Sequence, residues 1–185
     1  MTTTPDLRTR ARDMIATLHA IVDELTAPLQ QRHADRLQCQ RGCSGCCLDG
    51  LTVFEVEAAH ITHQAKDLLR GAQAAPQGQC AFLDAQGACR IYANRPYVCR
   101  TQGLPLRWVE EDAVTLEVTE YRDICPLNIE EDRPLELLDK EELWSIGPIE
   151  GKLAELQGAY DPDAPLKRTP LRDLFEALAR EDQDA

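Results

Sequence analysis

Apolar residues recur at helical spacing near the start of the chain, at Leu7, Ala11, Met14, Leu18, Ile21 or Val22, Leu25 and Leu29. The pattern predicts a helix over residues 4–36. Thr4 would open it with Pro5 in the first helical position, and Pro28 would kink or split it near Leu25. Residues 37–50 lose the period, are dense in Cys and Gly, and read as a loop. Thr52 then predicts a second helix start, with Glu55 completing a capping box, running to about Arg70 before Gly71. A connector at 72–79 leads to strand-like pieces at 80–83 and 89–92 around a turn at 84–87. Residues 94–99 suit a single helical turn. A second hairpin is expected from 106–109 to 114–118. The rest reads as helical: one helix near 139–158, disturbed at Gly147-Pro148, and one after Thr169-Pro170 with Leu171, Leu174, Phe175 and Leu178 on one face. The tail from Glu181 is acidic and expected to fray.

These elements predict an α+β fold, mainly helical, with small irregular β-hairpins around a cysteine cluster. The length, 185 residues, suits a single domain over 1–185. Within it, 39–126 forms a cysteine-bearing core flanked by N- and C-terminal helices. Aromatic residues are only 5% of the chain, so part of the stability is expected from the cysteines. Residues 72–100 in particular look poor in apolar mass.

The formal net charge is −12, which repels phosphate backbones and disfavours nucleic acid and anionic membrane surfaces as partners. A partner protein is compatible with that charge. No run approaches the roughly 20 apolar residues of a membrane span. The first residues lack the apolar stretch of a signal peptide. The expected location is therefore cytoplasmic, where thiols stay reduced.

The eight cysteines are Cys39, Cys43, Cys46, Cys47, Cys80, Cys89, Cys99 and Cys125. Four of them fall within residues 39–47, as C-x3-C-x2-C-C, with Gly42 and Gly45 between. Thiolates are soft, anionic ligands for zinc and iron, and short spacings let one loop wrap one centre. More than four ligands and a vicinal pair exceed what one zinc requires, whereas iron–sulfur clusters use compact cysteine triplets. The triplet shares the spacing of radical-SAM enzymes. Gly45 stands where those carry an aromatic residue, and too little chain follows for their barrel. An even number of cysteines also suits a disulfide framework, which the reducing compartment opposes. Scattered inert thiols do not account for four in nine residues.

The joint pattern resembles the YkgJ-type cysteine-cluster family, described as zinc- or iron-chelating. The resemblance rests on Cys39-x3-Cys43-x2-Cys46-Cys47, on Cys80-Ala-Phe-Leu, on Cys89-Arg-Ile-Tyr-Ala-Asn-Arg-Pro-Tyr-Val-Cys99-Arg100, and on Cys125-Pro126. Leu127 replaces the family's usual Gly after the last Cys-Pro. A relative with this pattern, the flagellin lysine methylase, is associated with an iron–sulfur cluster and methyl transfer. The resemblance thus implies an iron–sulfur cofactor, alternatively zinc, held by the eight cysteines. It does not extend to methylase activity, because the chain shows no S-adenosylmethionine domain. The function expected is metal binding with a redox or transferase-accessory role. The alternative is a structural zinc module that presents an interaction surface. No nucleophile–base pair marks an enzyme in its own right.

Arg95 and Arg100 neighbour cysteines and are candidates to balance thiolate charge around a cofactor; an ordinary ion pair with one of the 32 carboxylates is the alternative. His60 and His63 share a helical face, as metal ligands or as a solvated pair. His19 and His33 have no evident partner. Trp108 and Trp144 read as packing residues. The acidic runs at 110–112 and 130–132 lack calcium-loop spacing and read as solvated turns.

Overall fold

The computed structural model describes residues 6–40 and 42–180. The first helix, α1 (Leu7–Arg32), is capped by Asp6, whose carboxylate accepts the Thr9 amide at 2.7 Å. The Thr4-Pro5 start signal lies outside the described residues, as does the acidic tail. α1 is not split: it passes through Pro28 to Arg32. The carbonyl that Pro28 cannot serve belongs to Glu24, on an exposed stretch where water can serve it. The buried stripe is Ala11, Ile15, Leu18, Val22 and Thr26, with Leu7, Met14, Ile21 and Leu25 left exposed.

Thr52 does not cap the second helix. Residues Thr52–Phe54 form a short strand, β1, and α2 spans Glu55–Leu69. The Thr52 hydroxyl is taken by Arg168 Nε at 3.1 Å. The first amides of α2 are served from far along the chain instead: Glu55 N–H by the Lys167 carbonyl at 3.3 Å and Val56 N–H by Gln157 Oε1 at 3.0 Å.

Residues 80–83 and 89–92 are not strands either; they share one bridge, Leu83 with Cys89. The intervening turn forms, closed by Asp84 accepting the amides of Gln86 at 2.9 Å and Ala88 at 2.8 Å. A strand would turn alternate residues outward, but Cys80, Ala81, Phe82 and Leu83 are all buried. After them come a 3₁₀ turn at Tyr92–Asn94 and a short helix, α3 (Tyr97–Arg100). The second hairpin pairs β2 (Leu106–Glu111) with β3 (Val118–Asp123). Its return strand starts later than expected, because Asp112 accepts the Val114 and Thr115 amides and holds a wide turn. β4 (Trp144–Ser145) adds in parallel to β2.

The helix expected across 139–158 begins only at Gly147. Residues 140–142 form a 3₁₀ turn closed by an Asp139–Glu142 capping box. Then β4 intervenes, and α4 spans Gly147–Tyr160 with Pro148 in its first turn, where a missing N–H is harmless. β5 (Arg168–Pro170) pairs antiparallel with β1. α5 (Leu171–Arg180) buries Leu171, Leu174, Phe175 and Leu178, the face the sequence predicts.

The result is the expected α+β architecture, mainly helical with small sheets. Two apolar clusters hold it. One joins α2 and α5 to residues 80–83 and Ile91; Phe82 meets Phe175 edge-on at 5.2 Å between centroids. Residues 72–100 are thus better anchored than their composition suggests. The other joins α1 and α4 to Phe54, Tyr97, Leu106 and Trp144. Among the described residues no helix is long and apolar enough to cross a membrane.

Candidate metal centre

None of the eight cysteines is in a disulfide. The loop that carries four of them runs between α1 and β1 and turns twice on itself: the Cys43 amide bonds the Gln40 carbonyl, and the Cys47 amide that of Ser44, both at 2.9 Å. Gly42 sits at φ +87°, a conformation open to glycine.

Cys47, Cys80, Cys89 and Cys99 share one neighbourhood. The Cys80 amide donates to the Cys47 carbonyl at 2.8 Å, and Leu48 bridges to Gln79, so the loop is sewn to residues 79–80. Cys80 is buried in the α2–α5 cluster, and Cys47 and Cys89 pack against its edge. The Phe82 amide points at the Cys80 sulfur and the Ile91 amide at the Cys89 sulfur. Each favours the thiolate at a residue two positions back. Burial works the other way and pushes both thiols up. Cys99, on α3, is pushed up to about 12 by burial, then by the charges of Cys80, Cys89 and Cys46.

Cys39, Cys43 and Cys125 form a second, more open neighbourhood. Asn128 organises it. Its amide nitrogen donates to the Gly103 carbonyl at 2.8 Å and approaches Cys39 Sγ at 3.7 Å. Its oxygen accepts the Gln38 amide at 2.9 Å, and its backbone N–H bonds the Cys125 carbonyl at 2.8 Å. Gly103, at φ +93°, presses so close that a Cβ there would lie 2.5 Å from Cys39 Sγ. Burial raises Cys39, and Cys43, Cys125 and Cys46 add to the rise. Cys46 lies between the two neighbourhoods. The Cys47 thiol donates to its sulfur, drawing Cys46 down and Cys47 up.

Among the described residues, no three His, Cys, Asp or Glu side chains already converge to hold an ion. The donor set nonetheless fits a soft cation. Burial and mutual repulsion oppose loss of protons from these thiols, and a cation among them offsets both penalties.

The two arginines part ways. Arg95 lies near enough to Cys89 to favour its thiolate, and its guanidinium covers the Tyr92 ring at 4.0 Å. Arg100 takes the ordinary ion pair, with Asp23 at 2.6 Å, and also donates to the Ala93 carbonyl at 2.7 Å. His60 and His63 also separate. His63 is exposed, while His60 is buried edge-on against His19, with ring centroids 5.6 Å apart. Neither the shared metal site nor the solvated pair describes His60. His19 has a partner after all: its Nε2 lies 3.3 Å from Glu57 Oε1, which also accepts the Tyr97 amide at 2.8 Å. His33 bonds the Glu142 carbonyl at 2.8 Å. Trp144 is buried and donates to the Tyr97 hydroxyl at 2.9 Å, whereas Trp108 stacks on Tyr121 at the hairpin surface. Asn128, Gly103 and Glu57 escaped the sequence reading, because only the fold brings them to the thiols; their local patterns carry no signal.

No curated protein and no solved structure matches the chain. One family model does, over residues 38–126, which spans all eight cysteines and supports metal binding by them. Over that segment the chain matches the model of the CxxCxxCC cysteine-cluster family, described as a "putative zinc- or iron-chelating domain".

Proposed function

We propose that the cysteines bind an iron–sulfur cluster, in a protein with a redox or transferase-accessory role. The observation that carries this reading is that Cys47, Cys80 and Cys89, from separate parts of the chain, lie at one edge of the α2–α5 core, with Cys99 within electrostatic reach of Cys80 and Cys89. An iron–sulfur cluster, when bound, supplies one-electron chemistry at a potential set by its surroundings. Here those surroundings are the chain's own groups. The Phe82 and Ile91 amides stabilise sulfur charge, Arg95 adds a cation beside Cys89, and Ala81, Phe82 and Leu83 keep water from one side. Cys39, Cys43 and Cys125 offer a second set, with Cys46 able to serve either. The burial of Cys80 favours the competing reading, since a structural zinc is closed by four protein ligands.

The test is metal and sulfide analysis of protein purified without oxygen. Iron with acid-labile sulfide, and a brown colour that bleaches in air, is the expected result. Colourless protein with one tightly held zinc would give the function to the zinc module. The double variant Cys80→Ser/Cys99→Ser should lose the metal; full retention would remove the first neighbourhood from consideration.

A further inference from the structure

A cleft of about 250 Å³ opens beside α3, lined by Asp23, Gln30, Tyr92, Ala93, Arg95 and Arg100. Its charge is unusual for this chain. Two arginines face one aspartate, a formal +1, in a protein of net charge −12 with 32 acidic side chains. Asp23 is already engaged by Arg100. Arg95 has neither a carboxylate nor a carbonyl partner among the described residues, and its Nε is buried without a hydrogen bond. Among the described residues its guanidinium stacks on the Tyr92 ring, which fixes its plane, and its terminal N–H groups have no hydrogen-bond partner.

Arg100 is 7% exposed and firmly held. Each of its terminal nitrogens makes a bond, to Asp23 and to Ala93, and its Nε makes none. A terminal guanidinium nitrogen carries two hydrogens, so one on each is left over. A stacked, unpaired arginine next to a buried one is how proteins present N–H donors to a planar or tetrahedral oxyanion. Gln30, an exposed side chain on α1, adds a neutral polar group across the cleft.

We propose that this cleft binds a small ligand through a carboxylate or phosphate group, clamped by Arg95 with help from Arg100, beside the cysteine centre. The alternative is that Arg95 serves only to offset thiolate charge. In that case no external anion would bind, and replacing Arg95 would change metal content alone. The clamp does not depend on which metal the cysteines hold.

The experiment is calorimetric titration of the metal-loaded protein at low ionic strength, with inorganic phosphate and separately with succinate. Saturable binding of at least one probe, in the millimolar range or tighter, is expected, and which probe binds tells phosphate from carboxylate. Arg95→Gln should weaken it at least tenfold, as loss of a charge-assisted clamp requires. Gln30→Glu sets a carboxylate against Arg95 from an exposed helix position, so the fold is retained, and it should weaken binding similarly. Lys66→Ala, in a different cleft, should change nothing. Metal content is measured in every variant. Absence of saturable binding by both probes overturns the proposal. So does unchanged binding in Gln30→Glu, or a loss in Arg95→Gln that only follows loss of metal.

Discussion

Replacing Gly103 by Ala should loosen metal binding through a single atom. Gly103 sits at φ +93°, and the new Cβ would lie 2.5 Å from Cys39 Sγ. Ordinary contact begins about 1 Å farther out, so the sulfur must rotate away. It then leaves the Asn128 amide, now 3.7 Å from it, and the direction of Cys43 and Cys125. The backbone strain of an alanine in this conformation adds about 1–2 kcal/mol. Gly78 supplies the control. Its φ is +89° and no atom lies within 4 Å of its would-be Cβ, so Gly78→Ala carries the strain without the collision. Urea unfolding of the metal-free proteins should show both variants weakened by about 1–2 kcal/mol. Competition against a chelator should then separate them: Gly103→Ala loses roughly 10–100-fold in metal affinity, the usual effect of disturbing a ligand's support, and Gly78→Ala none. Equal metal affinity in the two variants would refute the placement of Cys39 at the metal.

Two other outcomes follow from burial. His60 is held down at about 4 by desolvation, then by His19 and Arg100. The unfolded chain takes up that proton near pH 6.5. Folded stability from this group is therefore whole above about pH 6.5 and lost as pH falls toward 4, by on the order of 2–3 kcal/mol. Urea midpoints of metal-free protein between pH 7 and 4.5 should fall more steeply in wild type than in His60→Gln; parallel curves would show that His60 is not the cause. His33, lowered mainly by burial, acts in both proteins and cancels. Chelation, for its part, should expose residues 42–50 to protease while 80–91 stay protected, because Phe82 and Ile91 remain packed. Equal cleavage in both segments, mapped by mass spectrometry, would mean that the metal rather than Phe82 holds 80–91. Phe82→Ala, at about 3–5 kcal/mol for the lost side chain, should open that segment even with metal bound.

Much of this was legible because it is local. The 3.6-residue period gave α5 with its buried face, and cysteine spacing marked the loop at 39–47 and the segment matched by the family. What misled was distant in sequence. Thr52 and Glu55 read as a capping box, yet the Glu55 amide that Thr52 would serve is taken by the Lys167 carbonyl, and the next amide, of Val56, by Gln157, about a hundred residues on. Residues 80–83 read as a strand because period cannot tell an edge strand from a segment buried on every side. Gly147-Pro148 read as a break in a helix, when a proline is equally at home in its first turn. At the site, Asn128 and Gly103 were invisible because their significance lies in distances to Cys39 across 89 and 64 residues of chain.

The two halves of the cysteine site differ in what orders them, and that difference bears on affinity. Cys80 and Cys89 stand on a turn pinned by Phe82 against Phe175 and by Asp84 against its own amides. Those residues are ordered by packing, so little of the binding free energy goes into fixing them. The loop at 42–50 has no fully buried side chain, and its main ties outward are the backbone hydrogen bond from the Cys80 amide to the Cys47 carbonyl, the Leu48–Gln79 bridge and Asp49 with Arg172. Fixing each loop residue costs about 1–2 kcal/mol of backbone entropy. Coordination by Cys46 and Cys47 must offset that cost for the loop alone, not for the whole of 39–126. If the cysteines bind a metal as proposed, a fold that orders Cys80 and Cys89 by packing and leaves the loop to close on the metal keeps the site accessible for loading. It also confines the structural consequence of metal loss to the loop.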